Sequence, residues 1–319
     1  MSELRYHPFL RTWVITATHR QDRTFHPPDD YCPLCPTKPG GFPTEVPVPN
    51  YDIAVFENKF PSLSPTPPDP EIESSDLVPV RPANGACEVV CYSSEHRATF
   101  ASLPLSQIRK LVRVWRERYI ELAAREDVEY VFIFENKGKE IGVTLSHPHG
   151  QIYAYPFIPA TLMAELESEK DHYAKTGTTL FCDWLNEELK GPRIVHENNS
   201  FLAIVPVFAR YPYEVWVVPR EQRRSLAELL PIEQDEFAEI LQLVTQKYDR
   251  LFGFSLPYIM AMHQEPAVPG YEFNWLHVEF YPPYRTAEKL KYLAGSESGA
   301  GAWINDTLPE VTAARLREL

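Results

Sequence analysis

Apolar residues recur at helical spacing in two segments of the chain. In both segments they occupy relative positions 0, 3, 4, 7, 11 and 14, which places one apolar stripe along one side of a helix. The first stripe consists of Ile108, Leu111, Val112, Trp115, Tyr119 and Leu122, and the second of Phe237, Ile240, Leu241, Val244, Tyr248 and Leu251. The sequence therefore predicts two amphipathic helices of matching pattern.

Runs rich in β-branched and aromatic residues flank each helix and predict strands. EVVCY precedes the first helix and EVWVV the second, while YVFIF (130–134) and YIMAM (258–262) follow them. A further strand is predicted in HPHGQIYAYP (147–156) and in WLHVEFYPP (275–283). In these two segments His149, Gln151 and Tyr153 align with His277, Glu279 and Tyr281, always 128 residues apart.

Four segments in the same order indicate two copies of one strand–helix–strand–turn–strand unit. Strands that return after a helix favour an antiparallel sheet with helices packed on it, which is an α+β fold. We place the first unit at 1–195 and the second at 196–319. The second unit includes a glycine-bearing segment at 298–305 that we predict to be a loop near the substrate.

Composition narrows the class of protein. The chain has 319 residues and a net charge of −13, which disfavours binding to nucleic-acid backbones. No apolar run reaches the ~18 residues that a membrane span requires. The N-terminal sequence lacks the pattern of a signal peptide, so we expect a cytoplasmic protein without nucleic-acid or membrane partners.

Cysteine and histidine residues suggest a zinc site. Cys32 and Cys35 form CPLC, a spacing that supplies two thiolates from one turn. His96 and His147 lie at turns of the first unit and are candidates for the other two ligands. The alternative is that CPLC is only a proline-containing turn and His96 an exposed loop residue.

His149 is the candidate catalytic residue. Histidine serves as a general base or as a covalent nucleophile, and a phosphoramidate on imidazole is labile enough to turn over. The backbone around Gly150 and the amide of Gln151 are suited to stabilise phosphate oxygens. We expect the rings of His147 and His149 to lie on one face of a strand. The alternative is that His149 is a structural turn residue.

Taken together, these and other segments of the chain resemble those of galactose-1-phosphate uridylyltransferases of the histidine-triad superfamily. The resemblance rests on THRQDR, CPLC, VFENKFPSL, SSEHRATF, FENKG, HPHGQIYAYP, WLHVEFYPP and KYLAGSES. It implies two tandem histidine-triad-like units and uridylyl transfer from UDP-glucose to galactose 1-phosphate through a uridylyl-histidine at His149. It also implies a homodimer, and a structural zinc held by Cys32, Cys35, His96 and His147.

The resemblance also assigns binding residues. Gln151 would bond the uridylyl phosphate, and further nucleotide contacts would come from Arg20, Arg23, Asn58, Asn136, Gly142 and Thr144. Lys291, Tyr292 and Glu297 would line the hexose-phosphate side. A second zinc or iron is expected at Glu165, His263, His277 and Glu279, where some family members have a third histidine instead of Glu279. A polar network without metal is the alternative there.

Two other functions remain open. Related transferases move AMP, as ADP-glucose phosphorylases do, although they often read His-Ser-His-Ser where this chain reads His-Pro-His-Gly-Gln. A zinc-stapled nucleotide-binding module without catalysis is the second alternative.

Overall fold

The computed structural model describes residues 2–23 and 31–319. The strands are β1 (Ser2–His7), β2 (Thr12–Ala17), β3 (Ala54–Glu57), β4 (Val80–Pro82), β5 (Ala86–Cys91), β6 (Tyr130–Lys137), β7 (His149–Tyr155), β8 (Ile194–Glu197), β9 (Phe201–Ile204), β10 (Val215–Pro219), β11 (Tyr258–His263), β12 (His277–Tyr281), β13 (Tyr284–Thr286) and β14 (Lys289–Leu290). The α-helices are α1 (Leu105–Ala123), α2 (Ala160–Thr176), α3 (Leu180–Glu188), α4 (Pro231–Leu251), α5 (Gly295–Ala300) and α6 (Pro309–Arg317).

Nine strands form one antiparallel sheet in the order β3-β5-β7-β6-β11-β12-β10-β9-β8. The order is nearly symmetric about its centre, where β6 pairs with β11 through Met260↔Glu135 and Met262↔Ile133. On one side β7 and β5 follow β6, and on the other β12 and β10 follow β11. Two smaller sheets, β2-β1-β4 and β13-β14, lie outside this one.

The predicted repeat is confirmed. Strand β5, helix α1 and strands β6 and β7 recur as β10, α4, β11 and β12. The α+β class, with two copies of one unit in an antiparallel sheet, is therefore as the sequence predicts. The limits of the units at 195 and 196 stay a prediction, because the sheet and the core run continuously through both.

Both predicted helices bury their apolar stripes. Every residue of the two stripes is buried, and they share one core with the inward face of the sheet. Pro104 is the residue immediately before α1, and Pro231 is the first residue of α4. In the first turn of a helix the fixed φ and missing N–H of proline are tolerated. Because α1 also packs against α4, the helical layer joins the two units as the β6–β11 pairing does.

The opposite face of the sheet carries the side chains of His149, Gln151 and Tyr153. Strand β7 begins at His149, so the alternation that we expected for His147 and His149 does not apply, because His147 lies before the strand. The segment 298–305 was expected to be a loop, but its first residues belong to α5. No helix among the described residues combines the length and apolar character needed to cross a membrane.

Candidate active site and metal centres

Cys32, Cys35, His96 and His147 converge as the sequence predicts. Their ligand atoms all lie within 4.8 Å of one another. Cys35 Sγ is 3.4 Å from His96 Nδ1 and 3.6 Å from His147 Nδ1. A tetrahedral zinc with ordinary bond lengths would separate its ligands by about 3.6 Å. The two distances from Cys35 match this value, and the four residues therefore fit a zinc ion.

The electrostatics of this cluster also suit a cation. Burial lowers the pKa of His147 to about 4, so the ring is neutral near pH 7 and can act as a ligand. Burial and the neighbouring Cys32 raise the pKa of Cys35 to about 11. Two thiolates so close together need a positive ion between them.

Tyr51 and Ser93 orient His147, and no sequence pattern pointed to either residue. His147 Nε2 lies 2.8 Å from the Ser93 carbonyl, which accepts its N–H, and 2.7 Å from the Tyr51 hydroxyl. The tautomer with hydrogen on Nε2 leaves the Nδ1 lone pair directed at the two cysteines. Tyr51 in turn donates to the Leu34 carbonyl at 2.9 Å, inside the CPLC turn.

The main-chain carbonyl of His147 fixes the candidate nucleophile. It lies 2.7 Å from His149 Nδ1 and accepts its N–H. In this neutral tautomer the lone pair of His149 is on Nε2, the nitrogen that would act in nucleophilic attack. The ring of His147 thus belongs to the metal cluster, while its carbonyl orients the ring two residues further on.

A cavity of about 550 Å³ opens in front of His149, a volume typical of small-molecule sites. Aromatic and apolar side chains supply much of its wall, including Phe56, Phe60 and Val89. The cavity brings together most of the predicted nucleotide contacts, namely Asn58, Asn136, Gly142, Thr144, His149 and Gln151. A second cavity of about 730 Å³ shares Asn136, Thr144 and His149 with the first, so the candidate nucleophile lies where two cavities meet.

A chain of hydrogen bonds fixes the amide of Gln151. The Phe60 N–H donates to Asn58 Oδ1 at 2.9 Å, so the Asn58 amide nitrogen must point the other way. That nitrogen donates to Gln151 Oε1 at 3.3 Å. The oxygen of Gln151 is therefore occupied, and its NH₂ group is left to face the cavity as a donor.

Arg20, another predicted contact, does not line this cavity. Arg20 donates to the Phe60 carbonyl at 3.2 Å and to the Tyr153 hydroxyl at 3.3 Å. Arg23 ends a short 3₁₀ helix (Thr18–Arg23), and its side chain lies outside the described part of the chain. Lys59, beside Asn58, pairs with Glu45 at 3.1 Å on the cavity wall.

Lys291, Tyr292 and Glu297 lie near the C-terminus and do not line the two cavities that His149 borders. Lys291 is buried and donates to Glu297 Oε1 at 3.2 Å and to the Ile304 carbonyl. Tyr292 is 73% exposed. Their role on the hexose-phosphate side stays a prediction.

The second predicted metal cluster occupies the position in the second unit that matches His149 and Gln151. Ligand atoms of Glu165, His263 and His277 lie within 4.8 Å of one another, and Glu165 Oε2 is 2.8 Å from His263 Nδ1. His277 Nδ1 donates to the Trp275 carbonyl at 3.0 Å, which leaves the Nε2 lone pair directed inward. Glu279 Oε1 is 3.4 Å from that nitrogen.

Buried polar atoms without a partner mark the same place. His277 Nε2, Glu279 Oε1 and Glu169 Oε2 are buried and make no hydrogen bond with any residue that the structure describes. Such atoms are costly in a folded protein unless an ion or water satisfies them. The convergent group, two imidazoles and the Glu165 carboxylate, fits zinc or iron, and the predicted fourth ligand Glu279 lies beside this group and not within it.

Arg210 adds a positive charge that the sequence did not predict at this cluster. Its guanidinium lies 2.5 Å from Glu279 Oε2, while Oε1 faces the histidines. Burial alone would raise the pKa of Glu279, but His263 and Arg210 outweigh it and hold the pKa below its usual range. Aromatic rings close the site, since Trp216 and Phe181 each contact the His277 ring at 4.8 Å between centroids.

The fold and the first cavity together identify the class of protein. It is a duplicated α+β protein in which a histidine on a strand faces a cavity large enough for a nucleotide. Residues 1–159 match the model for "Galactose-1-phosphate uridyl transferase, N-terminal domain", and residues 165–319 match the model for the C-terminal domain of the same family. The chain belongs to the galactose-1-phosphate uridylyltransferase family.

Individual relatives agree with this assignment. A galactose-1-phosphate uridylyltransferase from Thermotoga maritima is 41% identical, over 100% of this chain and 98% of its own. One from Streptomyces lividans is 40% identical, over 100% of this chain and 87% of its own. A solved uridylyltransferase superposes with a TM-score of 0.89 at 34% identity, over 99% of this chain and 97% of its own. An ADP-glucose phosphorylase from Arabidopsis thaliana shares the fold at 24% identity, with a TM-score of 0.75 over 100% of this chain and 99% of its own.

Proposed function

We propose that the protein transfers a uridylyl group from UDP-glucose to galactose 1-phosphate through a covalent uridylyl-histidine at His149. One observation carries the assignment of roles. The His147 carbonyl holds His149 Nδ1, and two strand positions on, the Gln151 amide presents its NH₂ group to the same cavity. A nucleophile and a neutral donor for a phosphate oxygen thus lie on one face of one strand.

In the first half-reaction His149 Nε2 attacks the α-phosphorus of UDP-glucose. The N–P bond forms, the P–O bond to the sugar phosphate breaks, and its electron pair leaves with glucose 1-phosphate. The positive charge on the ring is balanced by the bound phosphate, and the His147 carbonyl keeps its bond to Nδ1–H. Gln151 donates to a non-bridging oxygen, and the cavity that contains Asn58 and Phe56 holds the uridine.

In the second half-reaction a phosphate oxygen of galactose 1-phosphate attacks the same phosphorus. The N–P bond breaks, its electron pair returns to Nε2, and UDP-galactose leaves. Gln151 suits both steps because a neutral amide keeps donating as charge moves between oxygens.

We propose that the enzyme works as a homodimer. Lys291, Tyr292 and Glu297, which we assign to the hexose-phosphate side, do not line the cavities at His149 within one described chain. In a dimer, the second copy of the chain would supply Lys291, Tyr292 and Glu297 to the cavity at His149. Light scattering gives the oligomeric state, and mixing inactive His149→Ala and Lys291→Ala chains tests whether hybrid dimers regain activity.

We assign the first metal cluster to a structural zinc and the second to zinc or iron. Zinc at the first cluster would hold the ring of His147, whose carbonyl orients His149. Metal analysis of Cys35→Ser and His277→Gln variants separates the two sites, because each should lose only its own metal. A cytoplasmic location is consistent with ligand thiols that must stay reduced.

Incubation with uracil-labelled UDP-glucose tests the central proposal. Wild-type protein should acquire acid-labile label, and His149→Ala should acquire none while still binding UDP-glucose. His172→Ala, a histidine on α2 that pairs with Asp183, is the matched control and should label normally. Label on His149→Ala would refute the assigned nucleophile.

Two outcomes of the same assay would point to the alternative functions. Faster labelling from ADP-glucose would point to adenylyl transfer. No exchange between labelled glucose 1-phosphate and UDP-glucose would leave only a nucleotide-binding module.

A further inference from the structure

A buried acidic group lies behind the catalytic strand. Gly150 stands between His149 and Gln151, so its Cα faces away from the cavity, toward the helical layer. A Cβ built on Gly150 would lie 2.2 Å from the Tyr92 hydroxyl and 3.1 Å from the Phe134 carbonyl. Glycine is thus required here for space, because the Tyr92 hydroxyl rests directly against the strand.

Tyr92 contacts the chain on both sides of His149. Its backbone N–H donates to the Pro148 carbonyl at 3.0 Å, and its hydroxyl touches Gly150. The ring cannot withdraw, because Phe100 and Trp115 pack edge-on against it with centroids 5.9 Å away. The backbone of Tyr92 is therefore bonded to the residue before His149, while its fully buried side chain packs against the residue after it.

Glu135 holds the Tyr92 hydroxyl in place. Its Oε2 accepts from Tyr92 at 3.4 Å and from Tyr258 at 3.3 Å. Burial raises the pKa of both tyrosines far above the ordinary value, so both act as donors. Lys137, which influences this carboxyl electrostatically, directs its ammonium to Asp249 at 3.0 Å.

A buried acid with no bonded cation contributes little to stability compared with an apolar residue. Its two hydrogen bonds do, however, fix the orientation of the Glu135 carboxyl and of the tyrosine hydroxyls that donate to it. The Tyr92 hydroxyl is thereby held at one position, where it packs against Gly150 of β7. The displacement that matters is small, since a misplacement of about 1 Å at a reacting group can cost 100-fold in rate.

We propose that Glu135 and Tyr92 are positioning residues that hold Gly150 at a fixed depth, so that His149 and Gln151 meet the same phosphate. The inference rests on the proposed function, because it takes His149 as the nucleophile. Neither residue lines the cavity shared by His149 and Gln151, although Glu135 borders the second cavity. Tyr92 meets β7 at Gly150, so the pair acts on the reacting groups through the backbone of that strand.

The two tyrosines provide a matched pair of variants. Tyr92→Phe and Tyr258→Phe each remove one hydroxyl from the same carboxylate, but only the first removes the contact with Gly150. At saturating UDP-glucose, Tyr92→Phe should slow single-turnover labelling of His149 by about tenfold or more, with KM for UDP-glucose within about twofold. Tyr258→Phe should label within about twofold of wild type, although both variants should lose similar thermal stability.

Equal rates for the two tyrosine variants would overturn the inference, as would a Tyr92→Phe effect confined to KM. Glu135→Gln gives a second measure, because it keeps the shape and one acceptor oxygen. It should label faster than Tyr92→Phe and more slowly than wild type, and a rate equal to wild type would remove Glu135 from the proposal. A wild-type protein that acquires no label would overturn the proposed function itself, and this inference with it.

Discussion

Replacing Gln151 by glutamate is the sharpest test of the phosphate contact. The substitution keeps the length of the side chain and preserves the oxygen that accepts from Asn58, so the local fold should survive. It converts the group facing the cavity from an N–H donor into an anionic oxygen. That group is buried, with the residue only 7% exposed, so water screens the new charge poorly.

The expected cost follows from losing a donor to a charged transition state and placing a like charge beside it. Removal of one such donor costs about 2–4 kcal/mol. This corresponds to a decrease of roughly 30- to 1,000-fold in the rate of uridylyl-enzyme formation. Rapid-quench measurement of labelled His149 at saturating UDP-glucose gives that rate directly.

Gln242→Glu provides the matched control. It makes the same chemical change on α4, where the amide donates to the Leu103 carbonyl at 2.6 Å, remote from the cavity. Gln242→Glu should lower the free energy of unfolding and leave the rate of uridylyl-enzyme formation unchanged. Gln151→Glu should lower that rate and leave the free energy of unfolding largely unchanged. A Gln151→Glu rate within about tenfold of wild type, a loss of only ~1.4 kcal/mol, would show that the assigned contact is wrong.

Two further predictions concern the metal cluster and the buried acid. Cys32→Ser should lower zinc content and stability together, by about 3 kcal/mol or roughly 4–5 °C in Tm, because zinc binding is coupled to folding. Cys182→Ser is the control, and loss of zinc at constant Tm would contradict a structural role. Burial raises the pKa of Glu135 to about 7 from the ordinary 4.5. The folded protein therefore retains a proton that the unfolded chain releases, and its free energy of unfolding should fall by about 3 kcal/mol, relative to Glu135→Gln, as pH rises from 4.5 to 7. Denaturant titrations of both proteins at several pH values measure this difference, and parallel pH profiles would refute it.

The sequence predicted the repeat well because its signals are local. The stripes of α1 and α4 need only a spacing rule, and the strand at HPHGQIYAYP needs only alternation. The zinc ligands could be proposed because cysteine and histidine are rare and chemically distinctive. All four ligands also lie at predicted turns or in a short sequence motif.

Other parts of the site depend on contacts between distant segments. Nothing near Tyr51 indicates that it meets His147, 96 positions later. Arg210 gave no signal either, because only the pairing of β10 with β12 brings that part of the chain beside Glu279. The expected alternation of His147 and His149 was wrong because a turn and a strand meet between them, and the boundary of a strand is decided by its partners.

The near-symmetric sheet has a consequence for how the chain can be divided. If the gene were split after β7, each fragment would present a long unpaired strand, β6 or β11, and half of an apolar helical layer. Such an edge is a template for pairing with any similar strand, so the fragments should aggregate or reunite as a heterodimer. Joining them in one polypeptide replaces a concentration-dependent encounter by an intramolecular one. The two copies are then free to diverge, as they do where Gln151 of the first matches Glu279 of the second.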